Sequence, residues 1–274
     1  MIHKDYPEVT FLNIDDVDKF LKEKPVLYKY LPLENALRNL KNKGIWLSKP
    51  KEWGDPFEYR FLDAKYVDAK GNERDFPYKE KIFATCLTRE PSSEAQWNAY
   101  SKDSLAIRFV LDTKILLEQL SIFAKKNSFK VYLGNVEYHN REEIAVNNLN
   151  KLTFEEETNG TKICKNINDS VFGARLLLLK RKDFSYEKEV RLIIIKDNSI
   201  KADGIYFNYE CDNNALIKNL LVSPKVKDST FEMLKNYIEK EFDLPPKIDS
   251  TGRKQPLIRR SHLYDKEKNV IIST

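Results

Sequence analysis

The chain reads as an α+β protein. Short apolar runs of strand length alternate with amphipathic helices. Few clean β-α-β crossovers appear, which argues against a doubly wound parallel sheet. The 274 residues are 41% hydrophobic and 12% aromatic, enough to build a sizeable core. Mostly antiparallel, short-stranded sheets with flanking helices are the expected architecture. No Gly/Ser linker or repeat divides the chain, so residues 1–274 are read as one domain. Its core is placed at about 26–264, after a short helical N-terminal extension.

In chain order, Asp15 to Lys22 is a helical candidate, followed by the extended run Val26 to Tyr30. Pro32 can start a helix over Leu33 to Asn42, because Leu33, Ala36, Leu37 and Leu40 share one helical face and Gly44 stops it. Ile45 to Ser48 is a strand, and Lys51 to Glu58 carries turn chemistry in Gly54, Asp55 and Pro56. A strand follows at Lys81 to Leu87. Ser93 and Gln96 form a capping box for the next helix. Leu105 to Leu111 is a strand, and Asp112 caps a helix over Thr113 to Phe123. Phe129 to Tyr138 reads as extended, and Arg141 to Leu152 and Asn166 to Arg181 as helices. Strands are expected at Glu187 to Lys196, Gly204 to Tyr209 and Ile217 to Val222, then a helix over Ser229 to Phe242. Short strands at Lys247 to Asp249 and Leu257 to Leu263 close the chain.

Composition excludes several function classes. No apolar run approaches the ~18 residues that would suggest a membrane span. No basic-then-apolar segment opens the chain, so a secretory signal is not expected and the cytoplasm is the expected location. Cys86, Cys164 and Cys211 are scattered, as are His3, His139 and His262, so neither a disulfide scaffold nor a zinc site is expected. Only 8 glycines occur, and neither a G-x-G-x-x-G nor a G-x-x-x-x-G-K-[ST] phosphate loop is present. The net charge of +5 (47 basic, 42 acidic residues) permits an anionic ligand without requiring nucleic acid. Arg253, Lys254, Arg259 and Arg260 form a modest basic cluster, ordinarily a solvated surface.

The sharpest pattern is Glu187-Lys188-Glu189-Val190-Arg191. On a strand, Glu187, Glu189 and Arg191 fall on one face, followed by Ile193 and Ile195, with Val190, Leu192 and Ile194 opposite. A strand apolar on both faces is buried, so its polar start lies at a core edge where a cleft can form. A Glu–Arg pair closing the sheet end is the ordinary reading. An acid held for hydrogen bonding or oxocarbenium stabilisation is the sharper one. Tyr28, Lys29 and Tyr30, with Trp46 on a partner strand, could hold a flat anionic ligand or simply pack. Asp55 suits a helix cap better than metal binding with Glu58, Glu187 and Glu189. Trp97 and Tyr100 share a helical face, and Cys86 reads as a buried core thiol.

These residues resemble the bacterial domain of unknown function 2971. The resemblance rests on Leu27 to Tyr30, Ile45 to Pro50, Gly54 to Glu58, Cys86 to Thr88, Trp97 with Tyr100, Ala106 to Phe109, Phe184 to Ile193, Val222 to Lys225 and Ser261 to Tyr264. More distantly, the strand-helix-strand opening with a late E-x-E resembles the ADP-ribosyltransferase superfamily, whose members grip NAD between two small sheets. That likeness implies an NAD-consuming transferase or glycohydrolase, with NAD as substrate and no metal. Glu189 and its upstream partner Glu187 would be catalytic, and Tyr28, Lys29, Tyr30, Trp46, Ser48 and Arg191 would bind NAD. Lys29 stands where that superfamily carries His or Arg. The acceptor could be protein, nucleic acid or water, and a role as toxin or antiphage effector is the biological expectation. A metal-dependent nuclease or phosphodiesterase, and a nucleotide- or RNA-binding module, are the alternatives.

Overall fold

One eleven-stranded sheet organises the chain, and it forks. The computed structural model describes residues 1–63, 65–67, 72–101, 105–140, 154–156, 162–164, 169–242, 244–248 and 251–264. The strands of the main sheet are β1 (Ile2–His3), β2 (Tyr6–Leu12), β3 (Val26–Pro32), β4 (Gly44–Ser48), β5 (Ile82–Thr88), β6 (Ala106–Asp112) and β7 (Lys130–Asn135). A short strand outside it, β8 (Leu179–Arg181), comes next. Strands β9 (Glu189–Ile195), β10 (Gly204–Asn208), β11 (Ile217–Val222) and β12 (Ile258–Arg260) complete the sheet. The order is β1-β2-β7-β9-β5-β3-β6-β11-β12, with β4 and β10 branching from β5. All these pairings are antiparallel except β2 with β7 and β11 with β12. The class is therefore α+β with a mostly antiparallel sheet.

The fork follows from the register along β5. Its residues pair with β9 from Glu189↔Thr88 to Ile195↔Ile82. Its other edge is shared: Thr88 faces Tyr28 of β3, whereas Ala84 faces Ser48 of β4. Between those contacts β3 leaves with β6 and β4 leaves with β10. Helix α2 (Leu33–Lys41), which follows α1 (Val17–Glu23), joins the two parted strands, with Ala36 and Leu40 buried. Strands β3 and β4 are thus both neighbours of β5, not partners of one another as the sequence suggests. The gap deprives part of the β5 edge of a strand partner. Lys29 Nζ supplies one donor, reaching the Cys86 carbonyl at 3.3 Å.

Strand β9 is buried at all seven positions. Val190, Leu192 and Ile194 face one apolar cluster with Phe83 and Leu133, while Ile193 and Ile195 face another with Tyr132 and Leu178. The expected alternation therefore holds. The strand begins two residues later than its sequence suggests, because Lys188 takes a left-handed conformation (φ 45°) and Glu187 closes a 3-10 turn over Lys182–Glu187.

Several local readings hold. Ser93 caps α4 (Glu94–Tyr100) and accepts from Gln96 N at 3.3 Å. Asp112 caps α5 (Thr113–Asn127) and accepts from Ile115 N at 3.0 Å. Others differ. Tyr6–Leu12 is a strand inside the sheet, parallel to β7. The expected loop to Glu58 gives way at Pro56 to helix α3 (Pro56–Asp63), whose start Asp55 caps as its sequence suggests, accepting from Phe57 N at 3.0 Å. In the segment read as one helix to Arg181, Ser170–Leu176 is helical and β8 pairs in parallel with Glu137–His139. The helix expected over 141–152 lies outside the described residues.

Asp112→Ala removes the α5 cap and the 2.8 Å pair with Lys218. Denaturant unfolding should show a loss of about 1–2 kcal/mol. An unchanged midpoint would mean the cap contributes nothing.

Candidate active site

A cleft of about 1150 Å³ opens where β3 and β4 part. Its floor carries a polar cluster supplied by four elements. The helix Pro56–Asp63 brings Glu58, β8 brings Lys180, the 3-10 turn brings Glu187, and β9 brings Glu189 and Arg191. Arg191 has no exposed surface. Its Nε donates to Glu189 Oε2 at 2.8 Å and its Nη1 to the Leu177 carbonyl at 2.5 Å, while Nη2 donates to Glu58 Oε2. The Trp53 ring covers it, 4.7 Å from centroid to Cζ. Lys180 Nζ is the second hub, 2.5 Å from Glu187 Oε2, 2.9 Å from Glu189 Oε1 and 3.1 Å from Glu58 Oε1.

The cluster holds three carboxyl groups against two cations. A dry site tolerates little net charge, which favours a proton on one of the acids, and the buried Lys29 ammonium in the fork acts on Glu189 as well. Burial and the neighbouring Glu189 carboxylate push Glu187 up to about 8. Glu189 goes the other way. Burial alone would raise it, but the Arg191 and Lys180 charges outweigh burial and hold it at about 2. Of the two, Glu187 is the acid shifted toward keeping its proton.

The two acids also differ in access. The Glu189 side chain is 5% exposed and both its oxygens are engaged, whereas that of Glu187 is 15% exposed. The Glu187 backbone is fixed instead, since its carbonyl accepts from Thr88 Oγ1 at 2.5 Å and Gln96 Nε2 at 3.4 Å. Both acids line the cleft, and Glu187 is the more open of the two.

The other sequence candidates divide. Lys29 lies in the fork, 2.5 Å from Thr85 Oγ1, and burial lowers its ammonium to about 8. Tyr30 lines the cleft, packed against Trp97 and Tyr100 with ring centroids 4.8 and 6.3 Å away. Trp46 and Ser48 also line it, and Ser48 Oγ accepts from Trp53 Nε1 at 3.0 Å. Tyr28 sits beside the cleft over Arg108, whose Cζ is 4.8 Å from the ring centre. Arg191 lies behind the carboxylates. Cys86 is a cleft-lining thiol that burial pushes up to about 12, which makes it a poor nucleophile. Asp55 pairs with Arg181 at 2.8 Å. For Glu58, Glu187 and Glu189, the position a divalent ion would take is filled by the Lys180 ammonium. No metal-binding group of three or more His, Cys, Asp or Glu is found among the described residues.

Sequence reasoning missed Lys180 and Tyr206. The available signal for Lys180 was the apolar run Leu176 to Leu179 leading straight into the basic run Lys180-Arg181-Lys182, which puts the first of those charges at the end of a buried stretch.

The chain matches a family model. The match is to the family described as protein of unknown function (DUF2971), over residues 96–192. The resemblance read from the sequence is borne out over that span, which contains Lys180, Glu187, Glu189 and Arg191. No curated protein matches. Among solved structures, DarT from Thermus sp. 2.9 in complex with ADP-ribosylated ssDNA is 11% identical. The alignment covers 87% of this chain and 95% of that one, with a TM-score of 0.34.

Two outcomes test the cluster. Arg191→Met strands Glu58 and Glu189 in a dry site and should cost about 3–5 kcal/mol by chemical unfolding. A loss below 1 kcal/mol would contradict the hub role. For Glu187, the folded state keeps a proton that the unfolded chain loses above its ordinary value of 4.5. Its contribution is therefore complete below that value and is lost as pH rises through about 8. The stability of wild type relative to Glu187→Gln should fall between about pH 5 and 9. Parallel profiles would refute the proton assignment. Glu189 has the opposite sign, but its contribution is lost only below 4.5, outside this window.

Proposed function

We propose that the cleft binds NAD and that the chain cleaves its nicotinamide–ribose bond, as an ADP-ribosyltransferase or NAD glycohydrolase. The supporting observation is the contacting cluster on the cleft floor: three carboxyl groups share two cations, and the more open acid, Glu187, is the one shifted toward holding a proton. Such a site is complementary to a ligand bearing one positive charge. The pyridinium ring of NAD carries that charge, and the reaction transfers it to the sugar. As the C1′–N bond breaks, its electron pair goes to the ring, nicotinamide leaves neutral, and the ribose becomes oxocarbenium-like.

Glu187, ionised once the cation replaces its proton, would stabilise that charge. It would then accept a proton from the attacking nucleophile, which is water or an acceptor group. Glu189 is a positioning residue in this scheme. It is held down by Arg191 and Lys180 and keeps Glu187 electrostatically poised. The aromatic wall at Tyr30 and Tyr100 would exclude water from the sugar. The E-x-E resemblance points to the same chemistry, with the difference that the upstream acid, not Glu189, touches the ligand. Protein, nucleic acid and water are the acceptor classes to be screened, and depletion or transfer of this kind fits a toxin or antiphage effector.

The metal-dependent alternative needs the carboxylates free for an ion, and Lys180 occupies their centre. The test is nicotinamide release from NAD, with and without cell lysate as acceptor source. Wild type should release nicotinamide, and Glu187→Gln should be slowed by at least about 100-fold while still binding NAD. Equal release by the two proteins would overturn the role of Glu187. No release by wild type under either condition would overturn the NAD-cleavage reading.

A further inference from the structure

Another part of the cleft wall presents an exposed tryptophan on a glycine seat. Trp46 of β4 is 38% exposed and lines the cleft. It stands directly opposite Tyr206 of β10 in the register, and their rings meet edge to face at 4.9 Å. Two positions along, Gly204 is opposite Ser48. A side chain at Gly204 would run into the six-membered ring of Trp46 and into the Leu47 carbonyl oxygen. The indole therefore lies over Gly204, held from beneath by bare backbone and at its edge by Tyr206. Gly204 has no positive φ, so close approach of the ring is what glycine provides at this position.

An aromatic ring over a glycine on an edge strand can serve the sheet alone. Three features point further. The ring stays more than a third exposed, it is fixed on one face and one edge, and it borders the same cleft as the Glu187 carboxyl. A large, rigid, part-open π surface in a cleft suits a planar heteroaromatic ring.

We infer that Trp46, seated on Gly204 and braced by Tyr206, is a stacking platform for the nucleobase of the ligand. The assignment deepens the NAD reading and rests on it for the ligand's second half. The pyridinium end lies at the Glu187 carboxyl and the adenine end on Trp46. The platform recognises a neutral planar base, whereas the cleft floor recognises a cation. Each therefore selects one end of a dinucleotide. Gly204 acts as a positioning residue through Trp46.

The test measures binding by calorimetry for wild type, Trp46→Ala, Trp46→Phe and Gly204→Ala, each checked for folding by circular dichroism. The probes are NAD with Glu187→Gln in every background to prevent turnover, AMP as the base-bearing half, and nicotinamide mononucleotide as the half without adenine. Trp46→Ala should weaken NAD and AMP by roughly tenfold or more, the usual scale for one base stacked on an aromatic ring. Trp46→Phe should recover part of the loss. Nicotinamide mononucleotide should bind all four proteins alike. Gly204→Ala should weaken NAD and AMP in the same direction, with the indole intact but tilted. Unchanged NAD and AMP binding in both Trp46→Ala and Gly204→Ala would overturn the platform. Equal weakening of all three probes would also overturn it, since the effect would then be general. Trp46-dependent AMP binding without NAD or nicotinamide mononucleotide binding would keep the platform and remove the NAD reading. No binding of any probe to wild type would remove both.

Discussion

The guanidinium of Arg191 joins the parts of the site. It has no exposed surface, and its donors go to Glu58 on a helix, Glu189 on its own strand and the Leu177 carbonyl before β8. Without it, two carboxylates would share a dry pocket with a single ammonium, and the electrostatic cost would fall on folding. Lys180 completes the balance by touching all three acids. Within that set of contacts the acids outnumber the cations by one, and burial beside the Glu189 carboxylate favours a proton on Glu187, the more open of the pair.

Fold and chemistry meet at the fork in the sheet. Strand β5 can pair with β9 along its whole length only on one edge. The other edge serves two strands that diverge, and the space between them is the cleft. Neighbouring elements then close in with contrasting surfaces. The 3-10 turn and β9 bring acid, α4 and β3 bring aromatic rings, and β4 with β10 bring the indole over Gly204. A continuous sheet would have had none of these walls. Gln96, Thr88 and the left-handed Lys188 fix where Glu187 leaves the strand line, so Glu187 is placed by a turn while Glu189 is placed by the sheet.

Much of this was legible in the sequence because it depends on local rules. The stripe of Leu33, Ala36, Leu37 and Leu40, the caps at Ser93 and Asp112, and the two apolar faces of β9 all follow from periodicity and hydrogen-bond chemistry within a few residues. What was not legible depends on distant partners. Nothing near Lys180 signals that it meets Glu58, over a hundred positions away, and the helix-like run before it conceals a strand. Tyr28, Lys29 and Tyr30 are adjacent in sequence, yet pairing sends Lys29 into the fork and Tyr28 over Arg108. The difference between Glu187 and Glu189 hinges on one left-handed residue, which an E-x-E pattern cannot show.

The most direct test of the central claim is proton release on ligand binding. Titration at pH 7 with a hydrolysis-resistant NAD analogue that keeps the pyridinium charge would be run in two buffers of different ionisation enthalpy. Wild type should release a substantial fraction of one proton per ligand bound, and Glu187→Gln should release almost none. Binding by wild type with no proton released would contradict the claim that Glu187 holds the proton balancing the cluster.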